Sequence, residues 1–210
     1  LEWDGETHGF RLDTLGDLID ARTRLVAVGH ASNFLGTVND VATICAAARN
    51  VGAVAVVDAV QSAPHLLIDV AAIGCDLLSA SAYKFFGPHA AVMFVSRALQ
   101  ARIPPLKVRP SADVMPTRLS PGTPSFEAQA GTLAAIEHIA GLGAGSAAAP
   151  LRQRLAAGYA AIAAHEADLS RQFLAGLAGI RGLRLHGIAN ANRLAERVPT
   201  FTFTLDGCPA

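Results

Sequence analysis

The first half of the chain alternates short apolar runs with helical patterns, and this alternation constrains the fold more than any other feature. The apolar runs are bounded by turn residues, as is typical of central strands in a parallel sheet. We predict four strands, at 25–28, 53–57, 76–80 and 90–95. Helical patterns precede or separate them at 12–19, 41–49 and 69–73. The sequence therefore predicts an α/β fold with a mainly parallel sheet and flanking helices.

The second half of the chain has a different pattern. Six prolines between residues 104 and 125 exclude a helix and predict a long irregular segment, which in a compact domain is usually functional or disordered. Amphipathic helices are predicted at 126–140 and 151–177. A weak strand signal follows at 183–185, and alternation of apolar residues with threonines at 200–205 predicts a half-buried strand.

These patterns predict two domains. Residues 1–145 form part of a large α/β domain, and residues 146–210 form a linking helix and the start of a smaller α+β domain. The chain starts without Met and stops directly after a strand-like run, so we expect it to be a piece of a longer protein.

The composition excludes several classes of protein. Seventeen cationic and seventeen anionic residues balance, which argues against a nucleic-acid partner, and the 51% apolar content argues against a disordered chain. No apolar run is long enough to span a bilayer, and the acidic start is unlike a signal peptide. Cys45, Cys75 and Cys208 have neither metal-site nor disulfide-framework spacing. We expect no metal, no membrane association, a reduced cytoplasmic setting, and core packing for Cys45 and Cys75.

Polar residues follow three of the predicted strands at the point where each strand ends. These clusters are His30–Asn33, Asp58–Gln61 and Ser79–Lys84. Ligands of open α/β sheets bind outside the carboxyl ends of the strands, so we predict that the three clusters converge on one site.

Asp58 and Lys84 are the residues that indicate a specific chemistry. Asp58 follows an apolar strand, where a carboxylate needs a partner such as a protonated pyridine nitrogen; alternatively it caps the next helix. Lys84, one of two lysines, stands between Tyr83 and two phenylalanines, and an apolar setting lowers an amine's pKa and favours attack on a carbonyl. The alternative is a surface lysine. Lys107, the other lysine, is interpreted as solvated.

Hydroxyl and imidazole side chains at the strand ends leave more than one interpretation open. Ser79 and Ser81 alternate with alanines and suit phosphate oxygens, although ordinary strand-end serines have the same pattern. His30 is either catalytic or simply packed.

Two motifs resemble those of the class V aminotransferases, which are pyridoxal-5′-phosphate (PLP) enzymes of fold type I. Asp58-x-x-Gln61-x-x-x-His65 is followed by Ser81-x-x-Lys84-x-x-Gly-Pro, and this combination is similar to the cysteine desulfurase-like branch. The stretch 30–37 matches the family's preceding element, and 120–124 resembles its Gly-Thr-Pro loop.

The resemblance implies a role for each matched residue. Lys84 forms the internal aldimine with PLP and shuttles the α-proton, Asp58 keeps the pyridine nitrogen protonated, and the amides of Gln61 and Asn33 address the ring hydroxyl or the substrate. Three further residues bind the cofactor phosphate, the last of them in the neighbouring subunit of a homodimer: Ser81, Tyr83 and Thr123.

The chain departs from the family pattern in two places and in extent. Tyr83 replaces the histidine frequent before the lysine, and Ser120-Pro121 replaces an acidic residue, which favours a divergent subgroup. Members are roughly twice this length, and the missing parts would carry the phosphate cradle, the ring-stacking residue, the arginine for the substrate carboxylate and the persulfide cysteine.

Two hypotheses for the function follow. The first is a PLP-dependent enzyme acting on an amino acid, by desulfuration, transamination, or related elimination or epimerisation. The alternative is a non-catalytic binding or scaffolding protein on a decayed PLP fold. A nucleotide-binding domain has less support, because no GxGxxG or P-loop string occurs.

Overall fold

The computed structural model describes residues 1–104, 106–120 and 122–208. The strands are β1 (Trp3–Asp4), β2 (Gly9–Phe10), β3 (Leu25–Gly29), β4 (Val54–Asp58), β5 (Leu77–Ser81), β6 (Ala91–Val95), β7 (Leu183–His186) and β8 (Thr202–Leu205). The helices are α1 (Leu15–Leu18), α2 (Val41–Asn50), α3 (Val70–Ile73), α4 (Arg97–Arg102), α5 (Phe126–Leu142) and α6 (Leu151–Leu177). Short 3-10 segments cover Leu12–Thr14, Ala82–Lys84 and Ala191–Glu196, the last with a kink at Arg193.

The central sheet has four strands in the order β3-β4-β5-β6. Strands β3, β4 and β5 run parallel, as predicted, and their register places Gly29 beside Asp58 and Asp58 beside Ser79. The α/β prediction with a mainly parallel sheet is confirmed. The carboxyl ends of three neighbouring strands therefore meet at one edge of the sheet.

The interpretation of the fourth run as a central parallel strand is wrong. Strand β6 pairs antiparallel with β5, and Val92, Met93 and Phe94 are exposed. The physical reason is the connection, because residues 82–90 are too few for the crossover of about a dozen or more residues that a parallel pair requires.

Helix α2 packs on the sheet to form the first part of the core. Ile44 and Cys45 of this helix are buried together with Val57 of β4, and Cys75 joins the same cluster, so the predicted core packing of both cysteines is confirmed. Asp40 caps the start of the helix, since its carboxylate accepts the Thr43 amide at 3.1 Å.

Helices α5 and α6 cover a second apolar cluster beside the first. Phe85, Ala135 and Ile139 are buried there, and Tyr159 of α6 packs against them. Helix α6 occupies the predicted range, and α5 begins where predicted but ends at Leu142 rather than at residue 140. The segment between 104 and 125 holds no helix or strand in its described residues, as predicted; Pro105 and Pro121, two of its six prolines, lie outside them. The domain division at residue 145 stays a prediction.

Strands β7 and β8 form a separate antiparallel pair, so both predicted strands are present. The expectation of a half-buried β8 is wrong in its second half, since Phe203 and Leu205 are exposed. Just before the strand, the Phe201 ring packs against the Phe173 ring, with their centres 4.7 Å apart. In the described part of the chain, β8 itself pairs only with β7. No helix there combines the length and apolarity needed to cross a bilayer.

Candidate active site

A cavity of about 570 Å³ opens at the carboxyl ends of β3 and β4. Five of the predicted site residues line it, namely Asn33, Asp58, Gln61, Tyr83 and Lys84. They come from three separate segments of the chain, each beginning where a parallel strand ends. The structure thus brings together the three polar clusters that the sequence placed at strand ends.

Asp58 is the last residue of β4, and its carboxylate is exposed at the cavity. Its Oδ1 accepts the Val60 amide at 2.8 Å, while its backbone carbonyl accepts the His30 amide at 2.8 Å. The alternative of a helix cap is wrong, because a series of turns rather than a helix follows β4. The second carboxylate oxygen has no hydrogen-bond or ion-pair partner among the described residues. The side chain is therefore fixed through one oxygen and can bind a cation through the other.

Lys84 ends the short 3-10 segment that follows β5. Its side chain is exposed, and Nζ lies 5.7 Å from the centre of the Tyr83 ring. The expected apolar enclosure is absent in the described chain, since Phe85 is buried in the core below and Phe86 is exposed. The amine thus reaches the cavity from its open side.

Lys107, interpreted from the sequence as solvated, is bound within its own loop. Its Nζ donates to the Ser111 carbonyl at 2.6 Å and lies 3.2 Å from Asp113 Oδ1, with the side chain 16% exposed. The irregular segment folds back on itself, which the proline content alone does not reveal. Of the two lysines, Lys84 is the one that lines the cavity.

Asn33 and Gln61 both line the cavity. Asn33 is exposed in a turn that Ser32 closes by accepting the Leu35 amide at 3.0 Å. The Gln61 amide donates through Nε2 to the Thr200 hydroxyl at 2.9 Å. Two neutral amides are thereby presented to the same space as a carboxylate and an amine.

Three predicted residues do not line the cavity. Ser81 is half-buried at the end of β5, and Thr123 is exposed in the irregular segment. His30 is half-buried, its Nδ1 has no hydrogen-bond partner within the described residues, and burial lowers its pKa.

Sequence reasoning missed part of the lining. Trp3 and Phe10 stand opposite each other on the β1–β2 hairpin with their ring centres 6.2 Å apart, and both line the cavity. Asn39 also lines it, donating to the Gly29 carbonyl at 2.8 Å while its buried Oδ1 has no partner among the described residues. The signal for the aromatic pair was their position on either side of a glycine-containing turn (Gly5 to Gly9). No local signal indicated Asn39.

The cavity lining carries polar groups of several kinds beside aromatic rings. In the described part of the chain no cluster of three or more His, Cys, Asp or Glu side chains could hold a metal. The lining instead offers one carboxylate, one primary amine, several amides and aromatic faces. Such a set suits a flat polar ring that carries a cationic nitrogen and an electrophilic carbon.

A family sequence model and individual related sequences indicate the same family. A sequence model of the family described as "Aminotransferase class-V" matches residues 4–209. The chain is 33% identical over its full length to a probable cysteine desulfurase 2 of Mycobacterium leprae, covering 49% of that protein. It is 38% identical over 88% of its length to a cysteine desulfurase of Dickeya dadantii, covering 43% of it. The chain spans about half the length of the curated relatives it matches.

Solved structures show a similar fold. An apo cysteine desulfurase from Thermococcus onnurineus superposes with a TM-score of 0.79 at 24% identity, over 98% of this chain and 50% of that one. The cysteine desulfurase CsdA of Escherichia coli superposes with a TM-score of 0.72 at 23% identity, over 94% of this chain and 47% of that one.

Proposed function

This chain belongs to the aminotransferase class-V family, and we propose that it supplies the cofactor-binding residues of a PLP-dependent enzyme that acts on an amino acid. The observation that carries the proposal is the convergence of Asp58, Gln61, Asn33 and Lys84 on one cavity. Each is matched to a family motif, and together they come from three segments of the chain, one at the end of each parallel strand.

The residues present fit the cofactor that the family uses. Asp58 lines the cavity and has one carboxylate oxygen that no described residue binds, which suits a protonated ring nitrogen. Lys84 supplies a primary amine for the aldehyde, and the unpartnered Oδ1 of Asn39 shows that the wall has hydrogen-bonding capacity to spare. When bound, PLP supplies an electron sink for charge that develops at the α-carbon of the substrate.

The chain's own residues divide the work of binding and proton transfer. Asp58 holds the proton on the ring nitrogen, and the Val60 amide keeps its carboxylate in place. Asn33 and Gln61 orient the ring hydroxyl or the substrate through their amides. Lys84 would hold the cofactor through its Nζ, and the same amine would take up and return the α-proton of the substrate.

Phosphate binding is assigned to hydroxyl groups near the cavity. Ser81 ends β5, and Tyr83 lies next to Lys84 in the 3-10 segment that follows. Thr123 lies outside the cavity of a single chain, which is compatible with its serving the phosphate of a neighbouring subunit. We therefore propose a homodimer with sites at the interface.

The reaction is desulfurase-like or aminotransferase-like. The relatives named above as cysteine desulfurases favour cysteine as a substrate to test first. Ser120 stands where the family frequently has an acidic residue, which favours a divergent specificity. An amino-acid panel, with sulfide release and spectral change as readouts, separates cysteine from other amino acids.

The binding proposal is tested by covalent trapping of PLP. Protein incubated with PLP should develop a visible absorption band, and borohydride reduction followed by peptide mass spectrometry should locate the cofactor on Lys84. Lys84→Ala should lose the band and the label, whereas Lys107→Arg, the matched control at the other lysine, should keep both. A full band in Lys84→Ala, or a full-length wild-type protein that binds no PLP, would refute the proposal and favour a non-catalytic scaffold.

A further inference from the structure

The guanidinium of Arg197 is buried and bound by four backbone carbonyls, one of which belongs to the distant residue Leu35. The residue is 6% exposed, and its nitrogens donate to the carbonyls of Leu35, Ile188, Val198 and Thr200. The plane of the group also lies over the Phe201 ring, with Cζ 3.9 Å from the ring centre. No carboxylate pairs with it in the described part of the chain. A buried cation held in this way is costly unless several donors are used at once, which the planar fork of arginine permits.

The backbone around Arg197 pairs with the loop that follows β3. The Val38 amide donates to the Glu196 carbonyl at 2.9 Å, and the Val198 amide donates to the Gly36 carbonyl at 2.8 Å. Gly36 has a φ of +78°, and a Cβ there would lie 2.7 Å from the carbonyl oxygens of Val198 and Thr200. The close approach thus depends on glycine at this position.

The same C-terminal segment reaches the wall of the cavity at two further points. The Thr200 hydroxyl accepts the Gln61 amide at 2.9 Å, and the Thr202 hydroxyl donates to the Phe34 carbonyl. Phe34 and Gln61 both line the cavity, as does Asn33, which precedes Phe34 in the same turn. Residues 196–202 therefore contact the lining residues Phe34 and Gln61 without lining the cavity themselves.

We propose that Arg197 is a positioning residue that sets this wall: its guanidinium holds the loop 31–38 against the segment 196–202, and so places the amides of Asn33 and Gln61 toward the ligand. The inference rests on the proposed function, since the ligand in question is PLP or its substrate. It adds a residue that does not touch the ligand and that lies more than 150 positions from the loop it holds.

Three variants test the proposal. Arg197→Met removes the charge and all donors, and Arg197→Lys keeps the charge without the fork. Gly36→Ala forces the two segments apart with Arg197 intact, so it serves if the arginine variants fold poorly. Arg184→Met, at an exposed arginine of β7, is the matched control. The readouts are hydrogen exchange in peptides covering 31–38, PLP affinity, and the visible circular dichroism of the protein at saturating PLP.

We expect exchange in 31–38 to rise about tenfold or more in all three test variants, the change expected when a charge-assisted hydrogen bond is lost. Exchange in α2 should stay unchanged. PLP affinity should fall by a similar factor, and the visible dichroism should change even at saturation because the surroundings of the ring differ. Arg197→Lys should not restore the wild-type values, and Arg184→Met should match them.

The two proposals fail separately. Wild-type exchange in 31–38 for Arg197→Met, or full restoration by lysine, overturns the positioning role even if PLP binds normally. Faster exchange with unchanged PLP affinity and dichroism also overturns it, since the arginine would then support the loop without affecting the site. Absence of PLP binding by the wild type overturns the proposed function, and with it the assignment of this wall to PLP, whatever the exchange shows.

Discussion

The imidazole Nδ1 of His65 lies 2.7 Å from Oε1 of Glu166, which joins the turns after β4 to the middle of α6. Both side chains are largely buried, at 18% and 24% exposure. Two helical turns earlier, the Tyr159 hydroxyl donates to the Ala63 carbonyl at 2.7 Å. Helix α6 is therefore attached at two points to the segment that carries Gln61. His65, the motif residue to which no role was assigned from the sequence, thus has a structural role.

The His65–Glu166 contact should be measurable as a coupling energy. We expect His65→Ala and Glu166→Ala each to lower the free energy of unfolding by about 1–3 kcal/mol, because each leaves a mostly buried partner without its hydrogen bond. The double variant should cost less than the sum, with a coupling of about 0.5–3 kcal/mol in urea denaturation. The exposed pair Arg22–Asp20 is the control, with a coupling of at most about 1 kcal/mol. Additive losses at His65 and Glu166 would contradict a direct interaction.

Replacement of Asp58 by Asn should separate the charge of this residue from its structural contact. The Asn oxygen can still accept the Val60 amide, so the free energy of unfolding should change little. Affinity for PLP should fall by about tenfold or more, the loss expected for one hydrogen bond to a charged group. Titration of the visible band measures the affinity. Asp17→Asn, at an exposed aspartate of α1, should leave both quantities unchanged, and equal PLP affinity for Asp58→Asn would exclude a charge–charge role.

Local pattern in the sequence predicted the elements that local physics determines. The apolar runs at 25–28 and 53–57 became neighbouring parallel strands, and Asp69 and Gly74 mark the two ends of α3 as cap residues do. The convergence of Asp58 and Lys84 also followed from the sequence, since the carboxyl ends of neighbouring parallel strands share one edge.

Contacts between distant segments were outside the reach of such patterns. The orientation of β6 depends on the length of a connection rather than on apolar residues. The burial of Arg197 depends on carbonyls contributed by residues as far away as Leu35. Lys107 looked solvated because the sequence gives no sign that its loop folds back on Ser111. In each case the competing interaction is tertiary, so a local window cannot detect it.

The cysteines should differ sharply in reactivity. Burial raises the pKa of the Cys45 thiol to about 11 and also raises that of Cys75, whereas Cys208 is exposed. Iodoacetamide at pH 8 should therefore alkylate Cys208 in the folded protein, and all three thiols in urea, because the thiolate is the reacting species. Mass spectrometry of the labelled peptides checks this. Rapid native labelling of Cys45 would contradict its position in the core.

The raised pKa of Cys45 also predicts a pH dependence of stability. The folded state keeps the thiol proton to a higher pH than the unfolded state, so the contribution is complete below the ordinary pKa of 9.0 and is lost as pH rises toward about 11. The free energy of unfolding of the wild type should fall across this window more than that of Cys45→Ala. Parallel curves for the two proteins would show that the thiol does not contribute.

Two glycines of α6 should respond oppositely to alanine. Gly158 is buried where α6 crosses α5, and a Cβ there would overlap the Ile139 carbonyl oxygen; Gly176 has no heavy atom within 4 Å of the same position. Gly176→Ala should raise the free energy of unfolding by up to about 1 kcal/mol, through helix propensity alone. Gly158→Ala gains the same propensity but overpacks the crossing, so we expect a net loss of about 1–2 kcal/mol. Thermal and urea unfolding measure both changes in stability. The two variants share one helix and one chemical change, so each serves as the control for the other. A stabilising Gly158→Ala would mean that the helices do not approach closely at this glycine.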